Sequence, residues 1–264
     1  MNMSHALCDA HLAVNNIGSV IEFDEVFFMK DYLIESAKKL HINLNDKKCE
    51  QLIKYYEMLI EWNNKINLTA ITDYKDVVIK HFIDSLSIVN IIDINGDNSL
   101  VDVGTGAGFP GIPLKIVFPS LKVVLVDSLD KRVKFLNEVI GELQLENIKA
   151  VHSRAEDFGH TKYRESFDFC VTRAVSNLSV ISEYCLPLVK VGGYFIPYKS
   201  KEVENEIAEY EIAIEELGGV IDDVSVFELP DTDITRSLIL IFKDIQTNKK
   251  YPRRNGIPQK KPLR

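Results

Sequence analysis

Leu-Val-Asp-Val-Gly-Thr-Gly-Ala-Gly-Phe-Pro-Gly, at residues 100–111, joins a short apolar run to a loop with four glycines in eight residues. A helical pattern follows around Leu114. Glycine permits sharp turns and lets a ligand approach the backbone closely. A plain tight turn needs fewer glycines, so we interpret 104–111 as a ligand-binding loop at the carboxyl end of a strand.

From this loop onward, short apolar runs alternate with helical patterns. The runs are Leu100–Val103, Val123–Val126, Ile148–Val151, Phe167–Val171, Tyr194–Ile196, Val224–Phe227 and Leu238–Phe242. The helical patterns are centred near Leu114, Phe135, Val180 and Ile207. Because strands that alternate with helices form parallel sheets covered on both faces, the sequence predicts an α/β fold with a mostly parallel sheet.

The first hundred residues show helical periodicity instead. Apolar spacing predicts three helices, the second capped by Asn45 or Asp46 and the third from about Lys75 to Ile92. Residues 1–26 have no clear periodicity, and we expect them to be disordered. The predicted units are therefore 1–26, a helical N-terminal segment at 27–95, an α/β domain at 96–245 and a basic tail at 246–264.

Two adenosine-containing ligands, NAD and S-adenosylmethionine, fit the glycine loop. The last three glycines match Gly-x-Gly-x-x-Gly, the dinucleotide pattern, and the first three match the looser pattern of methyltransferases. Asp127, which closes the second strand, can accept hydrogen bonds from ribose hydroxyls of either ligand. Asp102 favours S-adenosylmethionine, because a carboxylate at the loop attracts a cationic sulfonium and repels a pyrophosphate. Ala155 and Glu156 follow the third strand, where they can frame an adenine ring or simply begin a helix.

The composition is that of a soluble globular protein, with 46% hydrophobic and 27% charged residues. The sequence shows neither an apolar run long enough for a transmembrane helix nor a secretory signal, so we expect a cytoplasmic protein without a membrane contact. The four scattered cysteines, Cys8, Cys49, Cys170 and Cys185, fit reduced thiols better than disulfides or a zinc site, and we expect no metal.

Charge is distributed unevenly along the chain, whose net charge is −8. The segment Lys243–Arg264 has eight Lys or Arg residues and one Asp, so it carries +7 and the remainder −15. Such asymmetry indicates either a polyanionic partner or a solvated, disordered terminus. We expect the tail from about Gln246 to lack the apolar content needed to pack.

Several motifs, in order, resemble one family. They are Glu-Trp-Asn-Asn-Lys-Ile-Asn-Leu-Thr (61–69), Lys-His-Phe-Ile-Asp-Ser (80–85), Asp-Val-Gly-Thr-Gly-Ala-Gly-Phe-Pro-Gly (102–111), Val-Asp-Ser-Leu-Asp-Lys-Arg (126–132), Arg-Ala-Glu (154–156), Thr-Arg-Ala-Val (172–175) and Tyr-Pro-Arg-Arg-Asn-Gly-Ile-Pro (251–258). The chain resembles the small-subunit ribosomal RNA guanine-N7 methyltransferases, also called glucose-inhibited division protein B, over roughly Phe28 to Leu263. Tyr198-Lys199-Ser200 departs from the family's more usual Leu-Lys-Gly but keeps the lysine.

The resemblance implies a Rossmann-like, S-adenosylmethionine-dependent methyltransferase with a seven-stranded, mostly parallel sheet and a helical N-terminal extension. It implies that Gly104 and Phe109 lie at the cofactor, that Ala155 and Glu156 hold the adenine, and that Arg173 reaches the active site. The predicted cofactor-binding residues are Asp102, Gly104, Gly106, Gly108, Phe109, Asp127, Ser128, Ala155, Glu156 and Arg173. The predicted RNA-binding residues are Lys199, Lys249, Lys250, Arg253, Arg254, Lys260 and Lys261.

The implied reaction, methyl transfer to guanine N7 of 16S ribosomal RNA, needs no general base, because N7 has a free lone pair at neutral pH. The rate should come from alignment of the reacting atoms. Arg173 is the expected catalytic residue, with a positioning role. His81 is expected to be structural or to contact RNA, and Trp62 to pack between helix and sheet. The basic tail would contact phosphates of the small ribosomal subunit.

Three alternatives remain at this point. A NAD-dependent oxidoreductase rests only on the Gly-x-Gly-x-x-Gly match, and a non-catalytic ribosome-assembly factor would have little need for Asp102, Gly104 and Asp127 together. A small-molecule methyltransferase is disfavoured by the basic tail. We expect the protein to be a monomer.

Overall fold

The computed structural model describes residues 27–94, 96–173, 176–200 and 203–264. The predicted disorder of 1–26 and the thiol prediction for Cys8 lie outside these ranges, as do residue 95 at the predicted boundary and the last two residues of the motif 172–175.

The described part of the chain is built on a sheet of seven strands. They are β1 Ser99–Val103, β2 Lys122–Asp127, β3 Ile148–His152, β4 Phe167–Thr172, β5 Val189–Ser200, β6 Gly219–Glu228 and β7 Thr235–Lys243. Their order is β3-β2-β1-β4-β5-β7-β6, and β7 runs in the direction opposite to the other six strands. Each predicted apolar run lies inside one of these strands, so the mostly parallel, seven-stranded sheet is confirmed.

Helices cover both faces of this sheet. They are α1 at 27–38, α2 Asp46–Asn63, α3 Tyr74–Val77, α4 Asp84–Leu86, α5 Gly111–Val117, α6 Asp130–Glu142, α7 Ala155–Phe158, α8 Leu178–Cys185, α9 Glu204–Glu216 and α10 Ile257–Lys260. Successive residues of β1 pack into different layers, Leu100 on one face and Val101 on the other. A central strand buried on both faces explains the unbroken apolar run at 100–103. Among the described residues, no helix is long and apolar enough to cross a membrane.

The N-terminal helices form one layer on the sheet and share its core. Asn45 caps α2 by accepting a hydrogen bond from the Lys48 amide, as its side-chain chemistry predicts. Tyr55 is fully buried and stacks on Phe82 and Phe135. Trp62 packs on the Phe135 ring and donates to Glu138 Oε1 at 2.8 Å, so its contacts lie between α2 and α6 rather than between helix and sheet as expected.

The third predicted helix contains a wider turn. Residues Val78–Ile83, between α3 and α4, form a π-helical turn, a feature common at functional sites. His81 and Phe82 lie in this turn with their side chains buried. The turn therefore brings a titratable ring to the protein interior, close to the glycine loop.

The prediction that residues 246–264 do not pack is wrong. Tyr251 is 3% exposed, and Arg253 forms an ion pair with the fully buried Glu183. Lys243 is also fully buried and donates from Nζ to the carbonyls of Leu186 and Leu217. The segment packs through the Tyr251 ring and through polar contacts with residues distant in sequence, which the apolar content of 246–264 does not reveal.

Candidate active site

The glycine loop connects β1 to α5 at the carboxyl edge of the sheet. Gly104, Gly106 and Gly108 have φ values of +71°, +63° and +101°, which favour glycine. A Cβ at Gly108 would lie 2.5 Å from Ile112 Cδ1, and one at Gly111 would lie 2.3 Å from Leu125 Cδ2. Packing inside the protein thus explains why Gly108 and Gly111, the last two glycines of the dinucleotide pattern, have no side chain. The pattern is therefore no argument for NAD binding.

Asp102 lies beneath the loop rather than in the lining of a pocket. Its Oδ2 accepts hydrogen bonds from Thr105 Oγ1 at 2.7 Å and from the Gly111 amide at 2.9 Å. Burial raises the pKa of Asp102 from its ordinary 3.8 to about 6, despite these two hydrogen bonds. Its Oδ1 is buried without a hydrogen-bond partner among the described residues. Asp102 therefore stabilises the loop, and its direct contact with a ligand stays a prediction.

Asp127 orders the same loop from the end of β2. Its Oδ2 accepts a hydrogen bond from the Gly106 amide at 2.9 Å, and its Oδ1 accepts one from the Leu129 amide at 2.9 Å. The carboxylate also borders a pocket, where it remains a candidate partner for ribose hydroxyls.

This pocket, which we call the cofactor pocket, has a volume of about 290 Å³ and lies at the carboxyl ends of β1, β2 and β4. Five of the predicted cofactor-binding residues line it: Gly104, Asp127, Ser128, Ala155 and Glu156. Sequence reasoning did not single out other lining residues, among them Arg132, Arg154, Tyr184, Asn255 and Gln259. The last two belong to the segment predicted to be a free tail.

A second pocket, the acceptor pocket, has a volume of about 630 Å³ and lies between the N-terminal helices and the sheet. Its lining includes Lys80, His81, Asp84, Arg173, Tyr198, Lys199 and Arg236. Ser176 lines both pockets, so the two adjoin. An acceptor and a donor bound in them would therefore lie side by side.

Arg173 lines the acceptor pocket, and Phe109 packs behind it without lining either pocket. The Phe109 ring stacks on His81 with centroids 4.4 Å apart, and the Arg173 guanidinium carbon lies 5.0 Å from the Phe109 centroid. Arg173 donates to the Lys80 carbonyl and to Asp84 Oδ2, both at 3.1 Å. These contacts hold the guanidinium in one orientation. The structure does not place Phe109 or Arg173 in the lining of the cofactor pocket.

His81 is uncharged, and both nitrogens of its ring have hydrogen-bond partners. Burial, with the nearby charge of Arg173, lowers its pKa from the ordinary 6.5 to about 3. Its Nδ1 lies 3.0 Å from Arg173 and its Nε2 lies 2.9 Å from Thr69 Oγ1. Because a guanidinium only donates, Nδ1 must accept, and the proton is assigned to Nε2. The lone pair of His81 is therefore already used.

Asp84 connects two arginines at the acceptor pocket. It is buried, and its two oxygens accept from Arg173 and from Arg236 Nε at 3.1 Å each. Sequence reasoning quoted Asp84 only within the motif 80–85 and missed Arg236. Its place on β7, 152 positions from Asp84, carries no local signal.

The predicted RNA-binding residues fall into two groups. Lys199, Lys250 and Arg253 form ion pairs with Glu206, Glu216 and Glu183 respectively. Lys249, Arg254, Lys260 and Lys261 are exposed, as is the ion-paired Lys250. Exposed cations on the C-terminal segment are the better placed of the two groups to meet phosphates.

Comparison with known proteins is consistent with this geometry. The model of the family "rRNA small subunit methyltransferase G" matches residues 48–235. A protein of that name from Lachnoclostridium phytofermentans is 52% identical over 87% of this chain and 96% of its own length. One from Staphylococcus aureus is 50% identical over 88% and 98%.

Solved structures show the fold at low identity. A chain in the complex of the Haloferax volcanii Trm112 methyltransferase activator with a putative methyltransferase superposes with a TM-score of 0.52 and 13% identity, covering 66% of this chain and 94% of that one. A putative sarcosine dimethylglycine methyltransferase from Galdieria sulphuraria gives 0.50 and 12%, covering 65% and 88%. The sequence matches and the seven-stranded sheet agree, and the chain belongs to the rRNA small subunit methyltransferase G family, with the fold of the S-adenosylmethionine-dependent methyltransferases.

Proposed function

We propose that this enzyme transfers a methyl group from S-adenosylmethionine to N7 of a guanine in 16S ribosomal RNA. The observation that carries the proposal is the pair of pockets that adjoin at Ser176, one bordered by the glycine loop and the other lined by cations. The atom and the base follow from the chemistry of the acceptor pocket and from the family resemblance.

The cofactor pocket has the donor and acceptor groups that S-adenosylmethionine requires. Asp127 offers a carboxylate for the ribose hydroxyls, and Ala155 and Glu156, which the family resemblance assigns to the adenine, line the same pocket. The positive-φ glycines keep side chains away from the loop backbone. When bound, S-adenosylmethionine supplies an electrophilic methyl group on a positively charged sulfur.

The acceptor pocket favours a nucleophile that does not have to lose a proton. His81 is neutral, but its lone pair accepts from Arg173. Both oxygens of Asp84 are paired with arginines, and Glu206 is paired with Lys199. A ring N–H or a ribose hydroxyl would need a free base for efficient transfer. Guanine N7 needs none, since its lone pair is free.

Arg173 acts as a positioning group for the acceptor base. Its guanidinium is already held by Lys80, His81 and Asp84, so little reorganisation accompanies base binding. A planar guanidinium on an aromatic ring presents its remaining edge to a base or a phosphate. Alignment by such fixed groups can supply roughly 7–11 kcal/mol of the barrier reduction.

The RNA substrate is a small ribosomal subunit or its 16S RNA in the cytoplasm. Exposed Lys249, Arg254 and Lys260 offer phosphate contacts that add affinity without base specificity. The target guanine has to leave its stack to enter the acceptor pocket. We expect one chain to suffice for the reaction, which sedimentation of the active protein will check.

The test is transfer of radiolabelled methyl from S-adenosylmethionine to small subunits that lack their native methylation. Strand cleavage specific for N7-methylguanine then maps the label, and we expect one position. Turnover should not change with pH through the neutral range, because no proton leaves N7. Label at another atom, or a rate that rises tenfold per pH unit, would contradict the proposal.

Two controls separate the alternatives. S-adenosylhomocysteine should raise the melting temperature and NADH should not, because only a ligand that binds the folded state stabilises it. Binding of S-adenosylhomocysteine without any label on the subunit would instead favour a non-catalytic assembly factor.

A further inference from the structure

The C-terminal segment, residues 247–261, borders the cofactor pocket. Asn255 and Gln259 line this pocket together with Arg154, Ala155 and Glu156, which follow β3. Neither amide belongs to the glycine loop or to the acidic ends of the strands that usually provide such sites. Their presence in the lining has to be explained by how the segment is held.

Arg164 makes the largest set of hydrogen bonds to the start of the segment, beside those of Glu165 and Lys243 to Thr247. Arg164 lies before β4 and donates to the backbone rather than to an acid. Its guanidinium nitrogens donate to the carbonyl oxygens of Gly159, Thr247, Asn248 and Tyr251 at 2.7–3.2 Å. One side chain thus replaces the regular backbone hydrogen bonds that this stretch lacks.

A buried ion pair holds the middle of the segment. Arg253 Nη2 and Nε donate to the two oxygens of Glu183 at 2.6 Å and 2.9 Å, and the Arg253 amide donates to the same carboxylate at 2.7 Å. Glu183 lies on α8 and is fully buried. Bidentate geometry of this kind specifies position as well as adding stability.

Two hydrogen bonds connect the segment directly to the adenine side of the pocket. The Gly256 amide donates to Glu156 Oε1 at 3.1 Å, and Arg154 Nη1 donates to Asn255 Oδ1 at 3.2 Å. Because Asn255 Oδ1 accepts from Arg154, its amide nitrogen is the group that remains for a ligand. An amide N–H is a donor that matches the ring nitrogens of adenine.

We propose that the C-terminal segment is part of the cofactor site and that Asn255 and Gln259 contact the adenine end of the cofactor. The inference rests on the proposed function, since it assumes S-adenosylmethionine in the cofactor pocket. In this proposal, the side of the segment that lines the pocket binds the cofactor. The exposed cations on its other side contact phosphates. This arrangement also reverses the simplest expectation for a basic tail, namely that cofactor affinity does not depend on it.

Calorimetric titration of the full chain tests the proposal with two probes. S-adenosylhomocysteine reports on the whole site, and 5′-methylthioadenosine reports on the adenosine end alone. The variants are Asn255→Ala, Gln259→Ala and the double variant. Gln246→Ala is the matched control, because it removes an exposed amide near the same segment but outside the pocket lining.

We expect each single variant to bind both probes about threefold to tenfold more weakly, the usual effect of removing one hydrogen bond. Gln246→Ala should bind both like the wild type. Unchanged melting temperatures without ligand will show that the fold is intact, and Gln259, being exposed, keeps the test valid if the double variant unfolds. Affinities within twofold of wild type for both single variants would overturn the inference.

Comparison of the two probes locates the contact. A loss for S-adenosylhomocysteine without a loss for 5′-methylthioadenosine would place the amides at the amino-acid end and overturn the adenine assignment. If the wild type binds neither probe, the proposed function fails instead, so the two failures are distinguishable.

Discussion

The glycine loop and the C-terminal segment border the same cofactor pocket but are held in different ways. In the loop, Asp102 and Asp127 accept hydrogen bonds from residues that lie 3, 9 and 21 positions away in the sequence. The C-terminal segment is stabilised by partners 70, 87 and 100 positions away. Short-range contacts leave a pattern in the local sequence, whereas long-range contacts leave none, and so only the loop was recognisable as part of the site.

The largest expected effect tests the long-range side of this comparison. Arg253→Ala leaves the Glu183 carboxylate buried without its partner, and we expect a loss of about 3–5 kcal/mol in the free energy of unfolding. Urea denaturation measures it. Arg254→Ala removes a neighbouring but exposed arginine and should change stability by less than about 0.5 kcal/mol. Similar values for both variants would mean that the ion pair does not anchor the segment.

A pair of alanine substitutions tests the loop. Gly106 and Gly108 both have positive φ, but a Cβ has open space at Gly106 and would lie 2.5 Å from Ile112 at Gly108. Gly106→Ala should cost about 1–2 kcal/mol from the backbone conformation alone. Gly108→Ala should cost about 1–3 kcal/mol more because it overpacks the core. Equal losses in denaturation experiments would show that the loop moves to accommodate the added methyl group.

The glycine loop and the C-terminal segment should depend on pH in opposite directions, because each is held by a buried titratable group. The folded protein binds the Asp102 proton more tightly than the unfolded chain does. Protonation of Asp102 therefore adds fully to the free energy of unfolding below pH 3.8, and this stabilisation is lost as pH rises through about 6. Burial lowers the pKa of Lys243, which anchors the C-terminal segment, from 10.5 to about 8. The neutral form of Lys243 therefore adds fully to the free energy of unfolding above pH 10.5, and this stabilisation is lost as pH falls through about 8.

Asp102→Asn and Lys243→Met should each remove one of these two dependences. The difference between wild-type and variant stability, measured by denaturation at several pH values, isolates each group. A difference for Asp102→Asn that stayed constant between pH 3.8 and about 6 would contradict the raised pKa.

The smallest effect on stability is expected for the outer cations of the C-terminal segment. Lys249, Arg254 and Lys260 are exposed, and their replacement by alanine should weaken 16S RNA binding. The slope of log K against log salt should fall by about 0.7 for each phosphate of single-stranded RNA that the variant no longer neutralises. Lys122→Ala, at the opposite end of β2, is the control. An unchanged slope in the triple variant would place the RNA elsewhere.

The strands and the glycine loop were predictable because their signals are local. Apolar runs such as Val123–Val126 and Leu238–Phe242 each lie within one strand of the sheet. Within the predicted helical segment, Asn63 Oδ1 accepts hydrogen bonds from the amides of Leu68 and Thr69, five and six positions later. Each of these features depends on neighbours a few positions away.

The contacts of the acceptor pocket were not predictable in the same way. His81 was known to be a candidate for a structural role, but its stacking on Phe109 and its hydrogen bond to Arg173 join three separate elements. Arg236 was missed because β7 has no motif that points to Asp84. Such groups acquire their pKa and orientation only from partners that the folded chain assembles.

Local signals were enough to predict the succession of strands along the chain, the glycine loop, a helix cap at Asn45 or Asp46, and the family, because backbone propensity and periodicity act over a few residues. Three features follow instead from the folded chain: the neutral, hydrogen-bonded state of His81, the place of Asp102 beneath the loop, and the packing of residues 247–261 on the cofactor pocket. The reason is physical: desolvation, ion pairing and long-range hydrogen bonds depend on distances in space, and sequence separation does not report those distances.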